Sequence, residues 1–438
     1  MTLKAVGCAL VLSLALASAT SADETCLSPF MPKITGQEDF IYAWTLGIDG
    51  VGDGSDKMVV VGANPKRDDY GKVIHSASVG GRHEAHHSGF TDDRRYLWAG
   101  GLDDSVIYIF DLVPDPAHPV LTTTITTFVK DSGGVVGPHG FYALPGRVLI
   151  AALSNDKDKG GKTGIVEYTN EGRYIRTTWL PKDAEYGYDA RVQPRLNRML
   201  SSAFTGHNNY MRDFGSLIGD AEAMKHFGKT VIVWDFHAYK PLQILEVPGA
   251  PLEIRWALQP QNNWAFINAP LTSKVWLIYQ KDDGTFGTED VITIGDGKSA
   301  LGTLFPVDIS IAANDKFLTV DTFVDGMARI YDISNPHKPK LAHEEKIGAQ
   351  VNMVSQSWDG ERMYFTSSLL ANWDKKDKDN EQFLKAYGWD GKKLTKKFEI
   401  DFIKEGLGRP HIMQFGQEQF YKNQIFAAEA PGLNVVQR

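Results

Sequence analysis

Short apolar runs alternate with polar turns along almost the whole chain, at a rhythm that suits strands. Runs such as "YLWAG", "VIYIF", "RVLIAAL", "TVIVWDF" and "KVWLIY" are rich in Val, Ile, Tyr, Trp and Leu and are bounded by Gly, Asp, Asn or Pro. Brief β-branched and aromatic runs between turn formers predict strands. A larger unit recurs above this rhythm: a turn, a strand, a gap, a second strand that often ends in an aromatic and Asp, then another β-rich stretch. "TDDRRYLWAG" leads to "DSVIYIFDL" and "HPVLTTTI", and "LPGRVLIAAL" leads to "TGIVEYTNEG" and "RYIRTTWL". Further units begin at "QPRLNRMLSSAF", "QPQNNWAFINA", "AANDKFLTVD" and "SWDGERMYFTSS". Four strands in a unit of about fifty residues is the arithmetic of a propeller blade.

Six units are complete, and a seventh can be assembled from "RPHIMQFGQEQFYKNQIFAAE" and the N-terminal "DKMVVVGAN". The pattern therefore predicts an all-β chain: a seven-bladed β-propeller with an N-terminal strand closing the last blade, one domain over 23–438. Helix is expected only over Gly215–Phe227. The charged stretch "DKKDKDNEQ", Asp374–Gln382, reads as an exposed loop.

The N-terminus departs from this pattern. Lys4 precedes an apolar run from Ala5 to about Ala17, followed by small residues around Ala19 and Ala22. This is the layout of a cleaved secretory signal peptide over 1–22, too short to span a bilayer. No later run is long enough to insert in a membrane, so a periplasmic location is expected. The 438-residue chain carries a net charge of −8. Without residues 1–22, which hold only Lys4, 45 basic residues face 54 acidic ones, a net −9. Nothing in that balance recruits nucleic acid or an anionic membrane. Cys8 leaves with the leader and Cys26 then stands alone, which excludes an internal disulfide, C-x-x-C-H haem attachment and thiolate clusters. Cys26 is expected to be dispensable. The oligomeric state stays open, a homo-oligomer included.

The candidate chemistry lies where the repeat meets histidine. "GRHEAHHSGF" crowds His83, His86 and His87 at the entrance to a strand. The first strand of each propeller blade lines the central channel, so equivalent positions near its start converge. His87 precedes Leu97 by ten residues, His139 precedes Leu149 by ten, and Asp308 precedes Leu318 by ten. Asp189 precedes Leu200 by eleven; Glu253 and His411 hold the strand starts of their own units, and the sixth unit places Val354 there, with Gln356 two residues on. His86 or His87, His139 and His411 thus come from three neighbouring blades and should meet as a metal site. Asp189, Glu253 and Asp308 should face them from the other side of the channel as candidate catalytic residues. Adjacent residues on a regular strand point to opposite faces, so His86 and His87 can both ligate only if the chain bends there. His83, His118, His226, His237, His337 and His343 read as surface residues, His75 as a blade-edge residue, and His207 stays undecided.

Imidazoles with carboxylates and no thiolate suit copper, zinc or non-haem iron, and the residues alone do not choose among them. A redox metal would serve oxidation and zinc would serve a hydrolase or lactonase. A propeller that binds a small ligand without catalysis is the third reading.

Taken in order, "EAHHSGF", "YGYDARVQPRLNRML", "GAPLEIRW", "MARIYDISNPHKPKL", "SQSWDGERMYFTSSLLANWD" and "DFIKEGLGRPH" resemble the selenium-binding protein family over nearly the whole chain beyond Cys26. The leader, the length and "TSSLLANWD" resemble its secreted bacterial methanethiol-oxidising branch. That resemblance implies a seven-bladed propeller and a copper enzyme. It implies that methanethiol, O2 and water become formaldehyde, hydrogen peroxide and hydrogen sulfide. The family's histidine motifs fall on His86, His87, His139 and His411. For the proton transfer that such chemistry needs, Asp189 or Glu253 is the expected carboxylate; Tyr188 and Arg255 flank them, either to serve the same step or to hydrogen-bond between blades. One departure stands out. Animal members follow HHSG with a Cys-x-x-Cys segment proposed to hold selenium, whereas here the stretch reads "FTDDRRYL". Selenium binding by that route is not implied.

Overall fold

Each of the six complete units folds into one four-stranded antiparallel sheet, and the two chain ends supply a seventh sheet. The computed structural model describes residues 27–34, 36–296, 301–357, 359–374 and 381–429. The expected signal peptide and Cys26 lie outside the described residues. The first blade runs through Ala85–Phe90, Tyr96–Gly101, Val106–Asp111 and Val120–Ile125. The other blades repeat this order around the channel.

Burial falls from the axis outward and explains the pattern in the sequence. Innermost strands such as Ala85–Phe90 and Val351–Gln356 are buried on both faces, so they show no alternation. Outermost strands such as Lys340–Lys346 alternate exposed with half-buried positions. Between blades, the sheets pack face to face through large side chains. Trp98, Ile107 and Ile109 of the first blade interlock with Phe141, Val148 and Ile150 of the second. Each such side chain contributes about 1.5–3 kcal/mol when fully buried. The close approach also demands small residues: a Cβ on Gly89 would lie 2.3 Å from the Phe141 carbonyl oxygen of the next blade.

The ring closes as the repeat predicts, with one correction. Arg409–Gly416, which carries His411, and Lys57–Gly62 share the seventh blade, but they are not neighbours in it. Phe40–Leu46 lies between them and pairs with both, from Phe40 opposite Gly416 to Thr45 opposite Lys57. Its sequence, FIYAWTL, is buried throughout and so shows no alternation of apolar and polar positions. The piece after Gly416 is not strand: Glu418–Glu429 is a helix.

Two other expectations change. The helix expected over Gly215–Phe227 is instead broken into Phe214–Ile218 and a 3-10 turn Ala223–His226, preceded by the short helix His207–Tyr210. Glycines at 215, 219 and 228 disfavour one continuous helix. In "DKKDKDNEQ", residues 375–380 lie outside the described residues, but neither end is an exposed loop. Asp374 is buried against Arg409 at 3.2 Å, and Gln382 is buried beside Ser367, whose hydroxyl meets its amide oxygen at 3.1 Å. Among the described residues, no helix is long and apolar enough to cross a membrane.

Candidate metal centre

A β-bulge recurs at the channel end of five inner strands, and it makes the site. The ladder between Ala85–Phe90 and its neighbour slips between Ala85 and Ser88, at His86 and His87. In the second blade it slips between Pro138 and Gly140, at His139. It slips at Asp308 in the fifth, at Asn352 in the sixth, and at His411–Ile412 in the seventh. A bulge inserts unpaired residues and re-aims their side chains. It resolves the conflict over His86 and His87, because residues on a bulge need not point to opposite faces. The backbone is unusual around it, with Glu84 and Ser368 both at positive φ, 61° and 87°. Such conformations cost about 1–3 kcal/mol each and gather at functional sites.

Four imidazoles consequently meet at one mouth of the channel. The rings of His86 and His411 stack at 3.9 Å, those of His87 and His139 lie 3.9 Å apart, and His86 is 4.9 Å from His139. One nitrogen from each of His86, His87 and His139 lies within 4.8 Å of the other two. His411 closes the group from the far side, 5.2 Å from His87 between ring centres.

Six ring nitrogens in this cluster are buried with no hydrogen-bond partner: Nδ1 of His86, both of His87, both of His139, and Nε2 of His411. Orphaned buried polar atoms are costly. Burial and mutual repulsion hold His86, His87 and His139 well below the usual histidine range, and burial lowers His411 to about 4. The cluster is therefore neutral, with lone pairs to offer. The tautomer of His411 follows from its surroundings. Its Nδ1 lies 2.7 Å from the Ser368 carbonyl, which can only accept, so Nδ1 carries the proton and Nε2 keeps its lone pair. A ring N–H donated to a backbone carbonyl is the support that metal-ligating histidines usually have. The Leu369 backbone does the same for His86. Neutral imidazoles with unpartnered nitrogens at this spacing fit a bound transition metal.

The three carboxylates part company. Asp189 accepts from its neighbour Ala190, from Arg191 Nε at 2.8 Å and from the Ile254 amide of the next blade at 3.1 Å. Asp308 accepts from Arg255 at 2.7 Å, from Ile309, and from the Val354 amide of the next blade at 2.9 Å. The same geometry, one blade pair apart, makes both of them latches between inner strands. Glu253 differs. Oε2 takes Arg255 at 2.9 Å, but Oε1 has no hydrogen-bond partner and sits 3.8 Å from His87 Nε2. Burial, against the pull of Arg255, pushes its carboxyl up to about 7. Tyr188 hydrogen-bonds Glu253 and lays its ring 3.9 Å from that of His139.

Sequence counting misplaced the sixth blade. The bulge carries Asn352, whose amide lies 3.0 Å from His411 Nδ1, whereas Val354 contributes only its backbone to Asp308. Counting back from the second strand misses it because the bulge shifts the register. Among the remaining histidines, His118, His226, His237 and His337 are exposed, and His83 is partly exposed with Asp104 at 2.7 Å. His75 lies in the outer strand Val73–Ser78, as expected. His343 corrects the surface reading, being half-buried and accepting from the Leu394 amide at 3.3 Å. His207 pairs with Asp103 at 3.2 Å and stays outside the cluster.

Above the imidazoles lies a roof that the repeat does not predict. It is made by the insertion of blade three, residues 203–227, and the loop 368–374 of blade six. Trp373 packs on Phe214 at 4.8 Å and donates to the Tyr210 carbonyl at 3.0 Å. Glu84 accepts from the Ala371 amide at 2.7 Å, which ties the roof to the histidine strand. Beneath it His86, His139 and Tyr188 border a chamber walled by leucines and aromatic rings, including Leu102, Leu153, Leu252 and Phe204. The chamber is tight, about 10 Å³, which is at the lower limit for a single water.

The family model described as 56kDa selenium binding protein (SBP56) matches residues 20–418. A protein of Ruegeria pomeroyi named methanethiol oxidase is 54% identical over 416 residues, covering 92% of this chain and 95% of its own. One of the same name from a Hyphomicrobium species is 55% identical over 420 residues, covering 95% of each. The crystal structure of a hypothetical selenium-binding protein from Sulfolobus tokodaii superposes with a TM-score of 0.77 at 26% identity, covering 88% of this chain and 96% of that one.

Proposed function

The chain belongs to the selenium-binding protein family, and on that premise we propose that it is an exported, copper-dependent methanethiol oxidase. It converts methanethiol, O2 and water to formaldehyde, hydrogen peroxide and hydrogen sulfide. The observation that carries this reading is the cluster of four neutral, buried imidazoles, six of whose ring nitrogens lack partners, beside a small apolar chamber. Relatives 54–55% identical over nearly the whole chain that bear the name methanethiol oxidase support it.

His86, His87, His139 and His411 would hold the copper. When bound, the ion supplies one-electron redox chemistry and affinity for soft sulfur. The protein's own groups do the rest. The roof and the leucine walls exclude bulk water from the reacting molecule. Glu253 Oε1 is the proton acceptor nearest the imidazoles and is held between charge states by burial and Arg255. Tyr188 and Arg255 fix that carboxyl in place. Asp189 and Asp308, with their oxygens engaged between blades, hold the inner strands. Two of the three carboxylates that favour a zinc hydrolase are thereby engaged between strands. The test is product analysis: methanethiol supplied with O2 should yield formaldehyde and sulfide in equal amounts, and hydrolysis of a lactone without O2 uptake would replace this reading.

A further inference from the structure

Tyr210 does not fit an ordinary core role. It lies on the short helix His207–Tyr210 of the roof and is fully buried. It belongs to the apolar cluster that holds Leu102, Leu153 and Phe204, its ring lies 5.2 Å from that of His207, and its side chain lines the chamber that His86 and His139 border. Its hydroxyl has no hydrogen-bond partner. A buried hydroxyl left unpaired costs about 1–3 kcal/mol, and a phenylalanine of the same shape would avoid that cost. The backbone around it is arranged to keep the group in place. Trp373 holds the Tyr210 carbonyl, and opposite the hydroxyl stands Gly137 at φ 69°, where a Cβ would approach the oxygen to 2.8 Å. Burial, with Asp103 and Glu84 nearby, pushes its pKa further up, so the group stays a neutral donor.

We propose that Tyr210 is the substrate-orienting residue of the chamber: its hydroxyl donates a hydrogen bond to the sulfur of a one-carbon thiol. The leucine walls receive the methyl group, which requires the chamber to widen beyond its present room for about one water. The inference rests on the reading of the chamber as the thiol site. It assigns the otherwise unpaired donor to the one heteroatom that the substrate carries. Orientation by a single donor in so small an apolar chamber would also favour the shortest thiol.

The test is Tyr210→Phe, studied in the metal-loaded protein. Methanethiol binding is measured by calorimetry under anaerobic conditions, where no turnover occurs. KM for thiol and for O2 is then measured in air-equilibrated and oxygen-limited assays. The variant should bind methanethiol about tenfold more weakly, the factor that about 1.4 kcal/mol represents. KM for the thiol should rise by the same factor, with kcat and KM for O2 within about twofold. Thermal unfolding should occur at the wild-type temperature or above it, since an unpaired buried group has been removed. A purely structural tyrosine would instead change stability and leave the thiol KM alone. Unchanged anaerobic affinity, or a change confined to O2, overturns the proposal. Wild-type protein that binds methanethiol in this Tyr210-dependent way but does not oxidise it would overturn the oxidase reading and leave this one standing.

Discussion

Replacing Asp308 with alanine separates a latch from a catalyst. Asp308 is completely buried and accepts from Arg255 Nη2 at 2.7 Å, from the Ile309 amide at 2.7 Å and from the Val354 amide of the next blade at 2.9 Å. Its own amide donates to Asp321 at 2.8 Å, so the carboxylate sits at a junction of three inner-strand segments. In Asp308→Ala, Arg255 keeps Glu253 but loses its shortest ion pair, and the Val354 amide loses its acceptor. Breaking one side of a buried ion pair costs about 3–5 kcal/mol. The cavity and the two lost amide contacts add to this, while relaxation of the strands subtracts from it. A net loss of about 3–5 kcal/mol is expected, read as a lower denaturant midpoint with the slope unchanged. Below the transition, metal content should match wild type and kcat should stay within a few-fold. A loss of stability under about 1 kcal/mol together with a drop in kcat of a hundredfold or more would refute the reasoning and return Asp308 to the catalytic set.

Glu253→Gln keeps the shape of the side chain and removes its proton acceptor; kcat should fall by about 10²–10⁴-fold while metal content is retained, and a fall below tenfold would remove Glu253 from the mechanism. In the metal-free protein the imidazole cluster should contribute a loss of stability as pH falls from about 6.5, the ordinary histidine value, toward about 4, where His411 titrates. The sign follows from the lowered pKa of the folded-state imidazoles: in that window these four side chains bind more protons in the unfolded chain, whereas the raised carboxyls of Glu253 and Asp308 act in the opposite sense. The cluster's share is therefore read as a difference: urea unfolding at several pH values is compared with a variant lacking His139 and His411, and a variant whose stability falls as steeply with acid as the wild type would contradict it.

The architecture was legible in the sequence because a propeller repeats one hydrophobic rhythm, and each unit buries its own inner strands. Equivalent positions could then be counted from the strand that follows each turn, which is why His87, His139 and His411 were found from 300 residues of separation. The bulges were not legible. A bulge is a property of two paired strands, and the sequence of one strand does not reveal that its partner has a residue fewer. Asn352 was lost for that reason, and the shared direction of His86 and His87 stayed unresolved. Asp189 and Asp308 looked equivalent to Glu253 by position, but only the hydrogen bonds show that two carboxylates are saturated and the third has a free oxygen. Phe40–Leu46 hid because a strand buried on both faces carries no alternation. The roof was hidden too, since an insertion lies outside the repeat and its contacts with Trp373 are purely tertiary.

The central claim is that the four-histidine cluster binds the copper on which methanethiol oxidation depends. Metal-free protein titrated with copper, with O2 uptake on methanethiol measured at each addition, tests it most directly when run beside a variant lacking His139 and His411. Activity that rises with bound copper to a saturating stoichiometry in wild type, and that is absent with the metal from a folded double variant, is the predicted result. Copper bound in full by the double variant, or methanethiol oxidised at the wild-type rate by copper-free protein, would contradict the account.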